Sequence, residues 1–258
     1  MAYDRESFLS GLAVGRVLWR PPIKTVAFTG FKFTVSIDIS SEASIDLRRL
    51  LWNGCTGIVD WGDGTTENYS GTTVTHEYAS SGIYQISLNY GEGCPSPLTI
   101  APITFTEIGE RLLSVDTPLP KIFESVTNFS NLFYSCYDLL SVPGRLLVNC
   151  PNIDTMWRCF EECRSLLSIP SDLFRYTPLL ENVYGCFRDC RGLTEVPLDL
   201  FSNNPGMTGF VYAFSSCSNL TSVPPLWEEY PTANGYWCFY GCYSIANYND
   251  IPDSWKGR

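Results

Sequence analysis

A single histidine, His76, serves the whole chain, so a nucleophile activated by an imidazole base has only that residue to use. It stands between Val74 and Tyr78 in an alternating, strand-like pattern, and a structural role is the preferred reading. Glycine-rich phosphate loops and nucleophile elbows are missing as well, which leaves little for an enzyme to work with. Charge is scarce: 17% of the 258 residues are charged, and 17 basic against 27 acidic side chains give a net charge of −10. No basic cluster interrupts that balance, which argues against a nucleic acid as partner. No apolar run reaches the roughly 18 residues of a membrane-spanning helix, so no membrane insertion is expected. The opening residues lack the pattern of a secretory signal, because Asp4 and Glu6 offset Arg5, and Gly11, Gly15 and Arg16 break the apolar stretch. Folding is therefore expected in a cytosol. There the eleven cysteines should stay thiols and pack as small apolar groups.

Aromatic residues, by contrast, are plentiful at 14%, and they recur in register. Phe133, Phe160, Phe187 and Phe214 stand 27 residues apart, and Phe239 follows after 25. Three residues beyond each is a cysteine: Cys136, Cys163, Cys190, Cys217 and Cys242. Pro143, Pro170, Pro197 and Pro224 lie ten residues beyond the first four phenylalanines. Within a unit, Met156, Cys159, Phe160 and Cys163 fall at i, i+3, i+4 and i+7, a spacing that predicts one apolar stripe along two helical turns. A short extended piece such as Leu166 to Ile169 follows, closed by a proline that cannot donate a further ladder bond. An apolar pair such as Leu173 and Phe174 then opens a second helical turn. Such a unit cannot bury its stripe alone, and stacking units makes a continuous core.

The segments "FRDCRGLTEVPLDLF" and "FSSCSNLTSVP" resemble the BspA-like leucine-rich repeat family, over about residues 103–245. The resemblance implies an extended adhesive surface and no catalysis. Leu112 to Val115 echo the pattern faintly, and Ile245 and Tyr248 replace its usual residues at the far end, as degenerate caps do. Upstream, Phe31, Phe33, Val35, Ile37 and Ile39 alternate with polar residues, and so do Tyr84, Ile86, Leu88 and Tyr90. Between them, Trp61-Gly62-Asp63-Gly64, His76-Glu77-Tyr78 and Gly82-Ile83-Tyr84 resemble the polycystic-kidney-disease (PKD) domain, an immunoglobulin-like sandwich. That resemblance implies a spacer or adhesion module, with Trp61 in its core and residues 41–57 as an insertion. In residues 1–22, Phe8, Leu12 and Trp19 share one helical face that Pro21 and Pro22 end. Such a helix either packs on its own chain or acts as a docking arm. The opening is loosely similar to the N-termini of small structural proteins of tailed bacteriophages.

The expected architecture is multidomain. A helical docking arm (1–22) precedes an all-β PKD-like sandwich (23–92). A proline-rich linker (93–102) leads to an α/β leucine-rich-repeat solenoid of 27-residue units with a C-terminal cap (103–258). The expected function is that of a non-enzymatic bacteriophage virion protein, of capsid-decoration or fibre type. Residues 1–22 would hold other virion proteins, and the solenoid would meet a host surface protein or glycan. It would fold in the host cytoplasm, need no cofactor, and occur in multiple copies or as a homo-oligomer. The alternative is a bacterial cell-surface adhesin built on the same repeats.

Three sets of side chains are candidate sites. Asp60, Asp63 and Glu67 carry oxygen ligands suited to calcium, but without EF-hand spacing, and a turn satisfying its own amides is preferred. The thiol pairs Cys159/Cys163, Cys186/Cys190 and Cys238/Cys242 suit zinc, yet Leu132 and Ala213 fill the equivalent slot elsewhere, which favours core packing. Outward-facing Trp157, Tyr184, Tyr212, Tyr236, Trp237 and Tyr240 form the candidate adhesion face. They either stack on a sugar or protein ligand or pack on the neighbouring unit.

Overall fold

A computed structural model describes residues 30–92, 94–95 and 103–257. The candidate arm residues Phe8, Leu12 and Trp19 lie outside the described residues, as does most of the expected linker. The alternating stretch forms β1 (Phe31–Ile37), whose odd positions are all buried. β2 (Ser44–Asp46) arises within the stretch read as an insertion, and β3 (Thr56–Asp60), β4 (Thr66–Ser70), β5 (Thr75–Glu77) and β6 (Gly82–Tyr90) follow. β7 (Leu112–Val115) comes from beyond the linker. Five of these strands make an antiparallel sheet in the order β4-β3-β6-β1-β7, and β2 and β5 form a separate antiparallel ribbon. Trp61 is buried between them, and its carbonyl accepts the Tyr78 hydroxyl at 2.9 Å.

The cysteines are not all thiols. Cys55, just before β3, is joined to Cys94, after β6, in a disulfide, which corrects the expectation of a fully reduced chain. The other nine cysteines among the described residues are free and buried.

The sheet runs into the repeats without a gap. β7 pairs antiparallel with β1, Ser114 makes a parallel bridge to Ser141, and Leu140 donates its amide to the Leu113 carbonyl. One contiguous apolar core joins Phe31 and Phe33 of the sheet to Trp255 near the C-terminus.

The second half overturns the expected α/β leucine-rich-repeat solenoid. Among the described residues α-helix is confined to α1 (Leu226–Glu229) and α2 (Asp253–Lys256), four residues each. The apolar stripes lie instead on consecutive turns. The reason is where the backbone amides go. An α-helix needs each N–H for the carbonyl four residues back. Here the amides of Phe129, Asn131, Phe133 and Ser135 donate to the carbonyls of Thr155, Trp157, Cys159 and Glu161 in the next layer. The next layers repeat this from Met156, Arg158, Phe160 and Glu162, and from Val183, Gly185, Phe187 and Asp189. Turns within each layer are closed by bonds such as Tyr134 N–H to Asn131 O and Cys136 N–H to Phe133 O. The predicted short strands are likewise reduced to isolated parallel bridges, such as Glu195 with Ser222.

What survives is the register. Phe105, Phe133, Phe160, Phe187, Phe214 and Phe239 form one column of stacked rings, with centroids 5.0–5.8 Å apart and interplanar angles of 4–23°. Phe33 meets Phe105 edge-on at 5.3 Å, and Trp255 closes the far end against Phe239. Phe105 is a rung that the sequence pattern passed over, because it stands 28 residues before Phe133 and has Ile108 where the others have a cysteine.

Candidate functional site

The candidate adhesion residues come together as one continuous strip along the stack. Trp157 meets Tyr184 edge-to-face at 5.4 Å, Tyr184 meets Tyr212 at 5.7 Å, and Tyr212 meets Trp237 at 5.6 Å. Trp237 stacks on Tyr236 at 5.3 Å and on Tyr240 at 4.8 Å. Of the alternatives raised by the sequence, packing on the neighbouring unit is the one seen here. Each ring packs on the ring of the next layer, while Trp157, Tyr236 and Tyr240 remain 48%, 47% and 39% exposed.

Local chemistry sets the strip. Asn182 Oδ1 accepts the amide of Tyr184 at 2.9 Å, and Asn234 Oδ1 accepts that of Tyr236 at 3.1 Å. An asparagine two residues upstream thus turns the chain at these two positions and aims Tyr184 and Tyr236 outward. Gly209 sits between those asparagines in a line of parallel bridges, where a Cβ would press on the Asn182 side chain at 2.9 Å. Tyr212 and Trp237 themselves have φ near +56° and +57°. Left-handed backbone is costly for bulky residues, and it persists where surrounding bonds over-determine it. Here those bonds are Tyr212 N–H to Tyr236 O and Trp237 N–H to Ser254 O.

Arginines line the strip. Glu161, buried beside it, is shared by Arg158 at 3.1 Å and Arg188 at 3.4 Å. Burial raises the Glu161 carboxyl above its ordinary range, and the two guanidiniums oppose that rise. Arg188 also lies over the Tyr212 ring, 5.6 Å from its centroid. Gly185 leaves a gap in the row occupied by Arg158, Tyr212 and Trp237 in other layers, and a side chain there would face Arg158 and Glu161.

The other candidates are accounted for by local contacts. His76 stacks on Trp61 at 4.9 Å, meets Tyr78 edge-on, and bonds Asp63 Oδ2 through Nε2 at 2.8 Å. Asp60 Oδ1 accepts the Gly62 amide, and Asp63 Oδ1 accepts the amide and hydroxyl of Thr65. Burial works against the Asp63 carboxylate, but the bonds from Thr65 and His76 more than offset it and hold the group below its usual range. Glu67 projects from the edge strand β4 and is exposed. The paired thiols occupy the buried core, and no cluster of three or more His, Cys, Asp or Glu among the described residues is placed to share a metal ion.

The thiols have a role the sequence reading missed. Cys163, Cys190, Cys217 and Cys242 donate through Sγ to the carbonyls of Phe133, Phe160, Phe187 and Phe214 in the preceding layer, at 2.9–3.2 Å. The signal lay in the repeats themselves. This column is cysteine in all five units from Phe133 to Phe239, whereas the neighbouring column mixes Leu132, Cys159, Cys186, Ala213 and Cys238.

Compared with known protein families, curated proteins and solved structures, the chain matches none. The likenesses to PKD domains and BspA-like repeats therefore rest on the residues quoted for them. No helix among the described residues is long and apolar enough to cross a membrane.

Proposed function

We propose that this chain is a non-enzymatic attachment protein that binds a glycan along the strip from Trp157 to Tyr240. The observation that carries the proposal is the strip itself: rings at successive layers, half-exposed, on a backbone locked by interlayer bonds. Flat aromatic faces held rigid offer contact area at low entropic cost, which suits repetitive ligands such as sugar chains. In the fuller proposal the protein belongs to a bacteriophage virion, with residues 1–22 holding it to the particle; the alternative is a bacterial surface adhesin. Mass spectrometry of purified particles separates the two.

The binding reading is tested on the full chain with a glycan array. Trp157→Ser combined with Tyr236→Ser removes the two most exposed rings of the strip, at 48% and 47%, and leaves the core column untouched. Glycan binding is expected to fall at least about tenfold, the effect of losing roughly 1.4 kcal/mol, with an unchanged melting temperature. Undiminished binding by the double variant would discard the strip as the site.

A further inference from the structure

Resting on that reading, we infer that the ligand is an acidic polysaccharide, its carboxylates taken by Arg158 and Arg188 while its sugar rings lie on Trp157, Tyr184 and Tyr212. The argument is one of charge and donor supply. Glu161 is the buried carboxylate between these arginines, and it neutralises one of two guanidiniums. Beside them, Glu162 and Asp189 are occupied by Arg164 and Arg191, with Ser135 and Tyr137 also donating to Glu162. In this network four guanidiniums face three carboxylates, on a chain whose overall charge is −10.

Each guanidinium carries five N–H donors and cannot lose its charge. Arg158 makes its ion pair with Glu161 through Nε and Arg188 through Nη1. Their side chains are 38% and 43% exposed, which leaves donor edges toward solvent. Planar, delocalised guanidinium suits paired bonds to a carboxylate. Arg158 directly follows Trp157 in the chain and Arg188 lies over the Tyr212 ring at 5.6 Å, so a ring-bound sugar would bring its acid group to the arginines.

The test is calorimetric titration of the full chain with polygalacturonate and with the same polymer fully methyl-esterified, which keeps the rings and removes the charges. Wild type is expected to bind the acid form about tenfold tighter or more, with the margin shrinking as salt rises. Arg158→Gln with Arg188→Gln should erase the preference and retain binding of the ester. A triple variant adding Glu161→Gln leaves no buried carboxylate unpaired, and should behave the same if folding of the double variant suffers. Trp157→Ser with Tyr236→Ser should weaken both forms. A preference that survives the arginine variants, or a wild type that favours the ester, overturns the inference while leaving the aromatic strip as a glycan site. Binding of neither polymer, or displacement of polygalacturonate by polyuridylate at equal charge, also overturns it.

Discussion

Phe187 lies between Phe160 at 5.3 Å and Phe214 at 5.4 Å, within 5° of parallel to both, and no part of it reaches solvent. Offset stacking of this kind adds to the area a ring buries, and a layer above and below leaves no room for collapse into a hole. Phe187→Ala is therefore expected to cost about 3–5 kcal/mol, at the upper end for a core truncation. Urea unfolding followed by tryptophan fluorescence checks it; a midpoint shift equivalent to under about 1 kcal/mol would mean the column does not bear on stability. The same column shows why cysteine suits the position three residues on. The Cys190 side chain ends one heavy atom past Cβ and reaches the Phe160 carbonyl at 3.0 Å. A buried thiol behaves as a small hydrophobe with a weak donor, which is the combination this slot uses.

At the scale of the element, the apolar periodicity was legible and the backbone was not. Positions 129, 132, 133 and 136 are buried, as a helical stripe requires, yet the amides that a helix would keep are spent on the next layer. Side-chain spacing reports which faces are inward and says nothing about which carbonyl receives an N–H. The left-handed residues carried the missing information: Asn131, Ser135, Gly185, Asp189 and Gly241 have positive φ, at spacings that follow the repeat. Glycine, asparagine and aspartate are the residues that tolerate this, but Arg158, Glu162, Tyr212 and Trp237 adopt it too, so composition alone hid the pattern. The strip residues were all legible as outward, because they flank the inward stripe; their mutual contact depends on layer spacing, which only the structure supplies. One consequence is testable at the chain's end. The layer of Trp237 and Phe239 donates not to a further layer but to α2, whose Ser254 and Trp255 carbonyls accept the amides of Trp237 and Phe239. Trp255 fills the space against Gly235, Phe210 and Phe239. Trp255→Ala should destabilise by about 3–5 kcal/mol, and hydrogen exchange should quicken first at Trp237 and Phe239. Uniform loss of protection across all layers would instead mean that the stack opens as one unit.

Over the whole molecule, the buried thiols tie stability to pH. All nine free cysteines among the described residues are pushed above the ordinary thiol range because burial disfavours the thiolate, Cys150 and Cys242 to about 12. An unfolded cysteine ionises near pH 8.5. Between that pH and the folded value, the unfolded chain has released protons that the native chain still holds. Stability then falls as pH rises, by about 1.4 kcal/mol per pH unit for each such thiol. The contribution is intact below about pH 8.5 and is lost as pH climbs toward the folded values. All nine thiols act in the same direction, so their combined slope is steep against the stability of about 5–15 kcal/mol of a typical domain. Buried Tyr69, Tyr78 and Tyr90 are also raised by burial and add to the slope in the same direction at higher pH. The protein is thus expected to resist thiol alkylation at pH 8 and to unfold cooperatively within about one to two pH units above the unfolded thiol value. Circular dichroism and iodoacetamide labelling, followed together from pH 8 to 11, should show one coincident transition. Labelling that precedes loss of structure would mean that the layers breathe enough to ionise their thiols locally. Structure retained at pH 11 would mean that the thiol column is not sealed from water.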